Sequence, residues 1–419
     1  MTIVNIVGGG LYGAVTALLV AKQEGKQKRV RVIDSAQELL SSFSSIVLAD
    51  TALNNGFHGI EIPRADGLVA FLRDQVGVPV ELKPNHRFLS INGEMVSFDT
   101  VFADWPDRAK QLIAAPLTQD AKSIDQLLDC LSPDGLALIK ANARRYGDVF
   151  EHVQHLMVPW FLPADFALAS NDEGAVFRSG VRSRDIIPQY VVPRGGLFSN
   201  LQAYFLKKFA DHNIELVSGV KMVPGDHGLT YESKTQDVSF LQNADETIFA
   251  MSSATLLTRL APELTKELTK VSRRAFNALY VASSQTKHLT NISEILSLSE
   301  TAPQFGRLSF PMANAVDDRC LIQAEIFLDD RADMEDPSYF DPRHVESICA
   351  LEHRSVKLLD YKQTRKIFSP NPDTIKAAEI AILDWASRCR ETLHIEAYFS
   401  PINMSKIYLL AKDMAERIK

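Results

Sequence analysis

An α/β fold is predicted by three features of the first thirty-four residues: a strand-like run, a glycine-spaced turn opening into an apolar helix, and an acid closing a second strand-like run. Thr2 to Val7 read TIVNIV, β-branched and bounded by glycine. A run this apolar suits a strand buried on both faces, as in parallel sheets. Gly8-Gly9-Gly10-Leu11-Tyr12-Gly13 follows, with Gly8, Gly10 and Gly13 in GxGxxG spacing. Leu11, Val15, Leu18 and Leu19 then recur on one helical face, and Gly25 is placed to stop the helix. RVRVID forms the second strand and ends in Asp34, 21 residues after Gly13.

Each of these parts has a physical purpose. Gly8 permits a tight turn out of the strand. Gly10 lets the backbone approach a pyrophosphate, where a Cβ would collide, and Gly13 lets the helix pack close to the sheet. Leu11 and Tyr12 complete the turn, and the helix N-terminus offers N–H groups and a partial positive charge to phosphates. Asp34 is placed to accept hydrogen bonds from ribose hydroxyls, with Ser35 beside it. The reading is a Rossmann-like unit with a bound dinucleotide. A glycine-rich turn without a ligand is the alternative.

Composition narrows the class. At roughly 150 residues per domain, 419 residues make two or three structural units. Hydrophobic residues at 46% and charged residues at 23% exclude a disordered chain, a fibre and a coiled coil. A formal charge of −7 disfavours a general nucleic-acid binder, which must neutralise phosphates. Cys130, Cys320, Cys349 and Cys389 form no CxxC, so neither a disulfide framework nor a zinc site is expected. Scattered thiols and the lack of a leader or long apolar window lead to the expectation of a cytoplasmic protein without a membrane span.

A second glycine-punctuated stretch, from Tyr190, reads YVVPRGGLFSNLQAYFLKKFADHNIELVSGVKMV. After Pro193 and Gly195-Gly196, it predicts a helix with Leu197, Leu201, Phe205 and Phe209 on one face and a strand near Ile214 to Val217. LTYES and ADETIFAMSS read as further strands, the last ending near Ser252. The chain ends in HIEAYFSPINMSKIYLLAKDMAERIK, where Met404, Ile407, Ala411, Met414 and Ile418 make a helical apolar stripe.

Pro193, Gly195, Gly196, Val220, Ala244, Asp245 and Ile248 occur in the order found in the flavoprotein group of amine oxidases, protoporphyrinogen oxidases and UDP-galactopyranose mutases, which the chain resembles. The resemblance implies FAD as cofactor and a Rossmann-like FAD-binding domain with a discontinuous α+β substrate domain. It implies that Val220 contacts adenine through its backbone and that LNNGFHGIEIPRADG sets Gly56 and His58 beside the flavin ring. His58 would orient the ring or substrate, not act as an obligatory base. The C-terminal helix would aim its N-terminus, with Ile402, Asn403 and Met404, at the flavin pyrimidine, favouring a reduced, anionic ring. The chain departs from the pattern after Asp34. SAQELLSSFSS replaces the usual glycine pair, and Ser44 and Ser45 would supply hydroxyls there. The C-terminal Gly-Asp of the oxidases is also missing.

The expected division is an FAD-binding domain of residues 1–80, 186–262 and 376–419, with a substrate-binding domain of 81–185 and 263–375. NPDT near Pro372 is the return hinge. Within the second domain HRFLSINGEMVSF, RLSFPMANAV and CLIQAEIFLDD read as strands, and WPDRAKQLIAAPL and SIDQLLDCL as helices. Arg64, Arg178, Arg182 and Arg194 are substrate candidates, because guanidinium groups hold phosphate or carboxylate at two points. The other reading pairs such arginines with Asp172, Glu173 and Asp185 on the surface. Trp105, Trp160 and Phe161 line a cavity or fill a core. The acids from Asp329 to Asp336 lack EF-hand spacing, and no GxSxG, HExxH or phosphate-loop motif is present.

The function expected is an FAD-dependent oxidoreductase acting on a small molecule, anionic where the arginines bind it, with orientation rather than a strong base supplying the rate. Two alternatives stand beside it. One is a redox-neutral flavoenzyme of the mutase kind acting on a nucleotide sugar, and the other is a Rossmann-type binding protein without catalysis. Oligomeric state is not legible.

Overall fold

The computed structural model describes residues 1–23, 27–56, 59–62, 65–84, 86–91, 93–97, 166–171, 174–179, 189–235, 237–251, 253–268, 272–283, 287–289, 292–297, 302, 304–311, 320–329, 336–368, 372–390, 392–395 and 404–418. In the first half, β1 (Thr2–Val7), α1 (Leu11–Ala21), β2 (Lys28–Ile33), β3 (Ile46–Leu48), β4 (Thr51–Leu53), β5 (Ile60–Ile62), α2 (Asp66–Ala70), β6 (Val80–Pro84), β7 (Arg87–Ile91), β8 (Glu94–Ser97), β9 (Phe166–Asn171), β10 (Gly174–Ser179), β11 (Gln189–Pro193) and α3 (Leu201–Asp211) follow one another. The rest comprises β12 (Glu215–Val217), β13 (Val220–Gly225), β14 (Gly228–Ser233), β15 (Glu246–Phe249), α4 (Ser253–Leu260), α5 (Pro262–Leu268), β16 (Ser272–Ala282), β17 (Glu294–Ser297), β18 (Phe305–Ser309), β19 (Cys320–Asp329), α6 (Pro342–Ile348), β20 (Val356–Phe368), α7 (Pro372–Arg388), β21 (Thr392–Ile395) and α8 (Met404–Arg417).

The apolar runs at the start sort into a parallel sheet of order β12-β2-β1-β15-β21. This sheet is the centre of three layers. On one face lie α1, α3 and α8, whose Leu18, Phe205, Ile407 and Ala411 share a core with Val4 and Ile6. On the other lie the β13–β14 hairpin, α4 and α7, whose Met222, Tyr231, Leu257, Ile382 and Trp385 pack with Val7, Ile33 and Phe249. The Trp385 indole N–H donates to Gly225 O at 2.7 Å and fastens that hairpin to α7. The expectation of a one-sided α1 is corrected here. Helix α1 is buried nearly all round because α8 covers the side away from the sheet, while Leu19 is only half-buried. The proposed stop at Gly25 lies outside the described residues.

The stripe read from the C-terminal sequence is the inner face of α8, where Ile407, Ala411 and Met414 are buried and Met404 half-buried. Likewise Leu201, Phe205 and Phe209 are the buried positions of α3.

A seven-stranded sheet of order β20-β16-β19-β18-β17-β7-β8 forms the second layer system. Its pairs are antiparallel except β17 with β7. RRAFNALYVA, not assigned from sequence, is its long strand β16. One face carries Phe276, Tyr280, Ile322, Ala324, Ile326 and Leu308 against Phe340, Val345 and Ile348. Strands β5, β11 and β6 form a separate antiparallel three-stranded sheet of that order, and β7 pairs with β17, so the chain passes from this small sheet into the seven-stranded one between Pro84 and Arg87. It returns through α7, which opens at Pro372. Trp105, Trp160, Phe161 and the helices expected between 98 and 165 lie outside the described residues.

Phe205 is fully buried whereas its neighbour Leu206 is 39% exposed. Phe205→Ala is expected to cost about 3–5 kcal/mol in urea unfolding, and Leu206→Ala within about 0.5 kcal/mol. Equal midpoints for the two variants would contradict the packing of α3.

Candidate functional site

The three spaced glycines do three different things. Gly8 has φ +120°, and a Cβ there would lie 2.6 Å from Ala250 O, so this residue lets β1 pass close to the end of β15. A Cβ on Gly13 would sit 1.9 Å from Gly8 O, so α1 touches the turn backbone to backbone. A Cβ on Gly10 would meet no atom within 4 Å. Gly10 also caps α1 without any side-chain acceptor. The N-terminal turn of α1 is therefore aimed at open space, which is the geometry an anionic group needs. The side chains of Leu11 and Tyr12 belong to the core.

Asp34 is oriented by the same turn. One carboxylate oxygen accepts from Gly9 N–H, and the other from Ala36 N–H at 2.7 Å. A carboxylate has room for about four hydrogen bonds, so acceptor capacity remains on Asp34. Ser35 is exposed beside it. Val220, 186 positions later, donates its N–H to Asp34 O at 2.9 Å, and Gly219 N–H donates to Ala36 O at 3.0 Å. The structure thus brings Val220 to the strand end that carries Asp34. Its N–H is spent there. Ala244-Asp245 has a structural duty: Asp245 N–H donates to Ile3 O at 3.0 Å, and the Asp245 carboxylate accepts from Ile3 N–H at 2.8 Å.

Where a glycine pair was missing, the chain adopts a glycine-like conformation without glycine. Leu40 stands at φ +59° and donates its N–H to Gly9 O at 2.7 Å. A left-handed leucine costs roughly 1 kcal/mol, so the bond to the glycine turn is held against strain. Of the serines, Ser45 Oγ lies 2.7 Å from Ser199 Oγ and Ser44 is exposed.

Gly56, at φ +90°, lies against the second sheet. A Cβ there would come within 2.1 Å of Glu325 Oε1. The sheet face that meets it is polar. Register sets Asn277 opposite Glu325, Arg307 opposite Glu325, Ser309 opposite Gln323 and Glu294 opposite Ser309, and residues so paired share a face. The Arg307 guanidinium reaches Glu325 at 2.8 Å and Glu294 at 3.4 Å. Gln323 and Asn277, both buried, are linked at 2.8 Å. These residues were not singled out from sequence. The signal was there in the alternation of Gln323 and Glu325 with Ile322, Ala324 and Ile326, a strand with one polar and one apolar face.

The remaining candidates divide as follows. His58, Arg64, Arg182, Ile402 and Asn403 lie outside the described residues. Arg178 is on β10, paired opposite Ala167. Arg194 is exposed in the Pro193–Gly196 turn, its N–H bonded to Pro79 O at 2.8 Å. Beside it, the hydrogen-bonded Lys83 ammonium holds the Glu81 carboxyl below its ordinary range, aided by Gly195 N–H and the Arg194 charge. Met404 opens α8. Asp172, Glu173 and Asp185 are outside the described residues. No helix of the described residues is long and apolar enough to cross a membrane.

The family profile of the NAD(P)-binding Rossmann-like domain matches residues 6–74. No curated protein matches the chain by sequence. Among solved structures, a reduced UDP-galactopyranose mutase is similar at TM-score 0.66 and 11% identity, over 100% of this chain and 95% of that one. A candidate protoporphyrinogen oxidase from Exiguobacterium sp. 255-15 is similar at 0.65 and 13%, over 100% and 98%. A putrescine oxidase bound to putrescine is similar at 0.61 and 14%, over 100% and 98%. The chain therefore has a Rossmann-like domain within a fold shared, end to end, with these three proteins.

Gly13→Ala is expected to lower the stability of the protein without added ligand by about 2–3 kcal/mol, since Gly8 O has nowhere to go. Gly10→Ala is expected to cost less than about 1 kcal/mol. Thermal unfolding of both checks this, and equal losses would refute the division of roles.

Proposed function

We propose that this chain is an FAD-binding enzyme, an oxidoreductase acting on a small-molecule substrate in the manner of the amine oxidase and protoporphyrinogen oxidase group. The observation that carries the reading is the open side of Gly10, set between the N-terminus of α1 and the oriented carboxylate of Asp34. A pyrophosphate fits the first and a ribose the second.

In this reading the turn from Gly8 to Gly13 holds the pyrophosphate through backbone N–H groups, with Leu11 and Tyr12 contributing theirs. Asp34, next to Ser35, holds the ribose, and Val220 lies beside the adenine. Gly56 carries the loop that ends in His58 toward the ring, and His58 orients ring or substrate. Met404, which opens α8, and Ile402 and Asn403 just before it in sequence are the groups we assign to stabilising negative charge on the ring pyrimidine. FAD, when bound, supplies the capacity to accept two electrons from a C–N or C–C bond. The protein's share is to bind, orient and exclude water. Arg64, Arg178, Arg182 and Arg194 are the groups we assign to an anionic substrate.

The test is the absorbance and mass of the small molecule released when purified protein is denatured. FAD, identified by both, is expected at about one equivalent; a colourless protein that cannot be reconstituted with FAD would favour a non-catalytic binding protein. Gly10→Val is expected to fold and to bind no FAD, because the side chain enters the pyrophosphate position. Stoichiometric FAD in folded Gly10→Val would move the cofactor elsewhere. Redox-neutral conversion of a nucleotide sugar, seen only after reduction by dithionite, would replace the oxidase reading by the mutase one.

A further inference from the structure

Asn54 follows β4 at the place where the two sheets approach each other, and its side chain is fully engaged. Its Nδ2 donates to Gly196 O at 2.8 Å, and its Oδ1 accepts from Phe198 N–H at 2.9 Å. Its carbonyl accepts from Gln323 Nε2 at 2.8 Å and from Gly56 N–H at 2.9 Å. Gly196 and Phe198 belong to the turn that leads into α3, part of the core around α1. Gln323 belongs to the polar face of the second sheet and is itself tied to Asn277. Asn277 Nδ2 closes the loop by donating to Asn55 Oδ1 at 3.0 Å.

Only an amide satisfies this arrangement. An aspartate would lose the donor to Gly196 O, and an aliphatic residue would strand both Gly196 O and Phe198 N–H. A stranded buried group costs more than its bond contributed. The same residue fixes Gly56 through the tight turn at Asn55, and Gly56 has no slack, since it already abuts Glu325.

We propose that Asn54 is a positioning residue for the cofactor site, acting through Gly56: it pins the loop between the turn at Gly196 and the polar floor at Gln323. The proposal rests on the FAD reading above, in which Gly56 lies beside the ring. It requires that the environment of the flavin, and not merely the stability of the fold, depend on Asn54.

The experiment compares full-length wild type, Asn54→Ala and Gln323→Met, using FAD itself as the probe. Far-UV circular dichroism reports the fold, titration reports FAD affinity, and the visible absorbance bands report the flavin environment. In a folded Asn54→Ala, FAD affinity is expected to fall roughly tenfold, the scale of one buried donor–acceptor set left unmade, with shifted flavin bands. Gln323→Met removes only the bond to the Asn54 carbonyl and the one to Asn277. It is expected to shift the bands in the same direction with a smaller loss, about threefold. Wild-type affinity and wild-type bands in folded Asn54→Ala would overturn the proposal while leaving the FAD reading intact. If Asn54→Ala does not fold, Gln323→Met decides, and unchanged affinity and bands there overturn it. Failure of wild type itself to bind FAD overturns the FAD reading and this proposal with it.

Discussion

Two backbones touch at Gly8 and Gly13, closer than any side chain would allow. That approach sets the distance between α1 and the sheet, and so determines where the helix N-terminus lies relative to the ends of β1 and β15. Gly8 makes a second approach of the same kind, to Ala250 at the end of β15. Two neighbouring elements, β1 and α1, and a third distant in sequence, β15, are thus brought together by missing Cβ atoms. The cost is the backbone entropy glycine loses on folding, and it is offset by the buried apolar sheet that the approach permits.

Around this turn the polar groups are satisfied locally and in layers. Asp34 is held by Gly9 and Ala36, Val220 by Asp34, and Leu40 by Gly9. The turn is therefore built mainly from backbone, which side-chain substitution elsewhere changes little. The polar face of the second sheet differs in kind, because there side chains make the bonds: Arg307 with Glu325 and Glu294, and Gln323 with Asn277.

The loop after β4 packs on this polar face. Gly56 abuts Glu325, Gln323 bonds Asn54, and Asn277 bonds Asn55. Buried amide pairs of this sort are weakly stabilising when made and costly when broken, so they set relative placement more than they add stability. The strained left-handed Leu40 is a second sign that geometry near the turn is held against local preference.

Much of this was legible in the chain because its causes are local. The β-branched run, the glycine spacing and Asp34 lie within thirty-four residues, and the stripes of α3 and α8 repeat at the helical period. The approach of Val220 to Asp34 was legible only through the resemblance, because nothing local links positions 186 residues apart. The burial of α1 on both sides, the left-handed Leu40 and the meeting of Asn54 with Gln323 had no local cause to read. A leucine prefers right-handed backbone. An amide pairs with whatever the folded chain brings to it. What the sequence determined alone was the strand–turn–helix at the start of the chain, through sterics acting over a few bonds. What only the tertiary structure decided was the polar sheet face on which Asn54 packs, since hydrogen bonds between residues 54 and 323 exist only once both segments have packed.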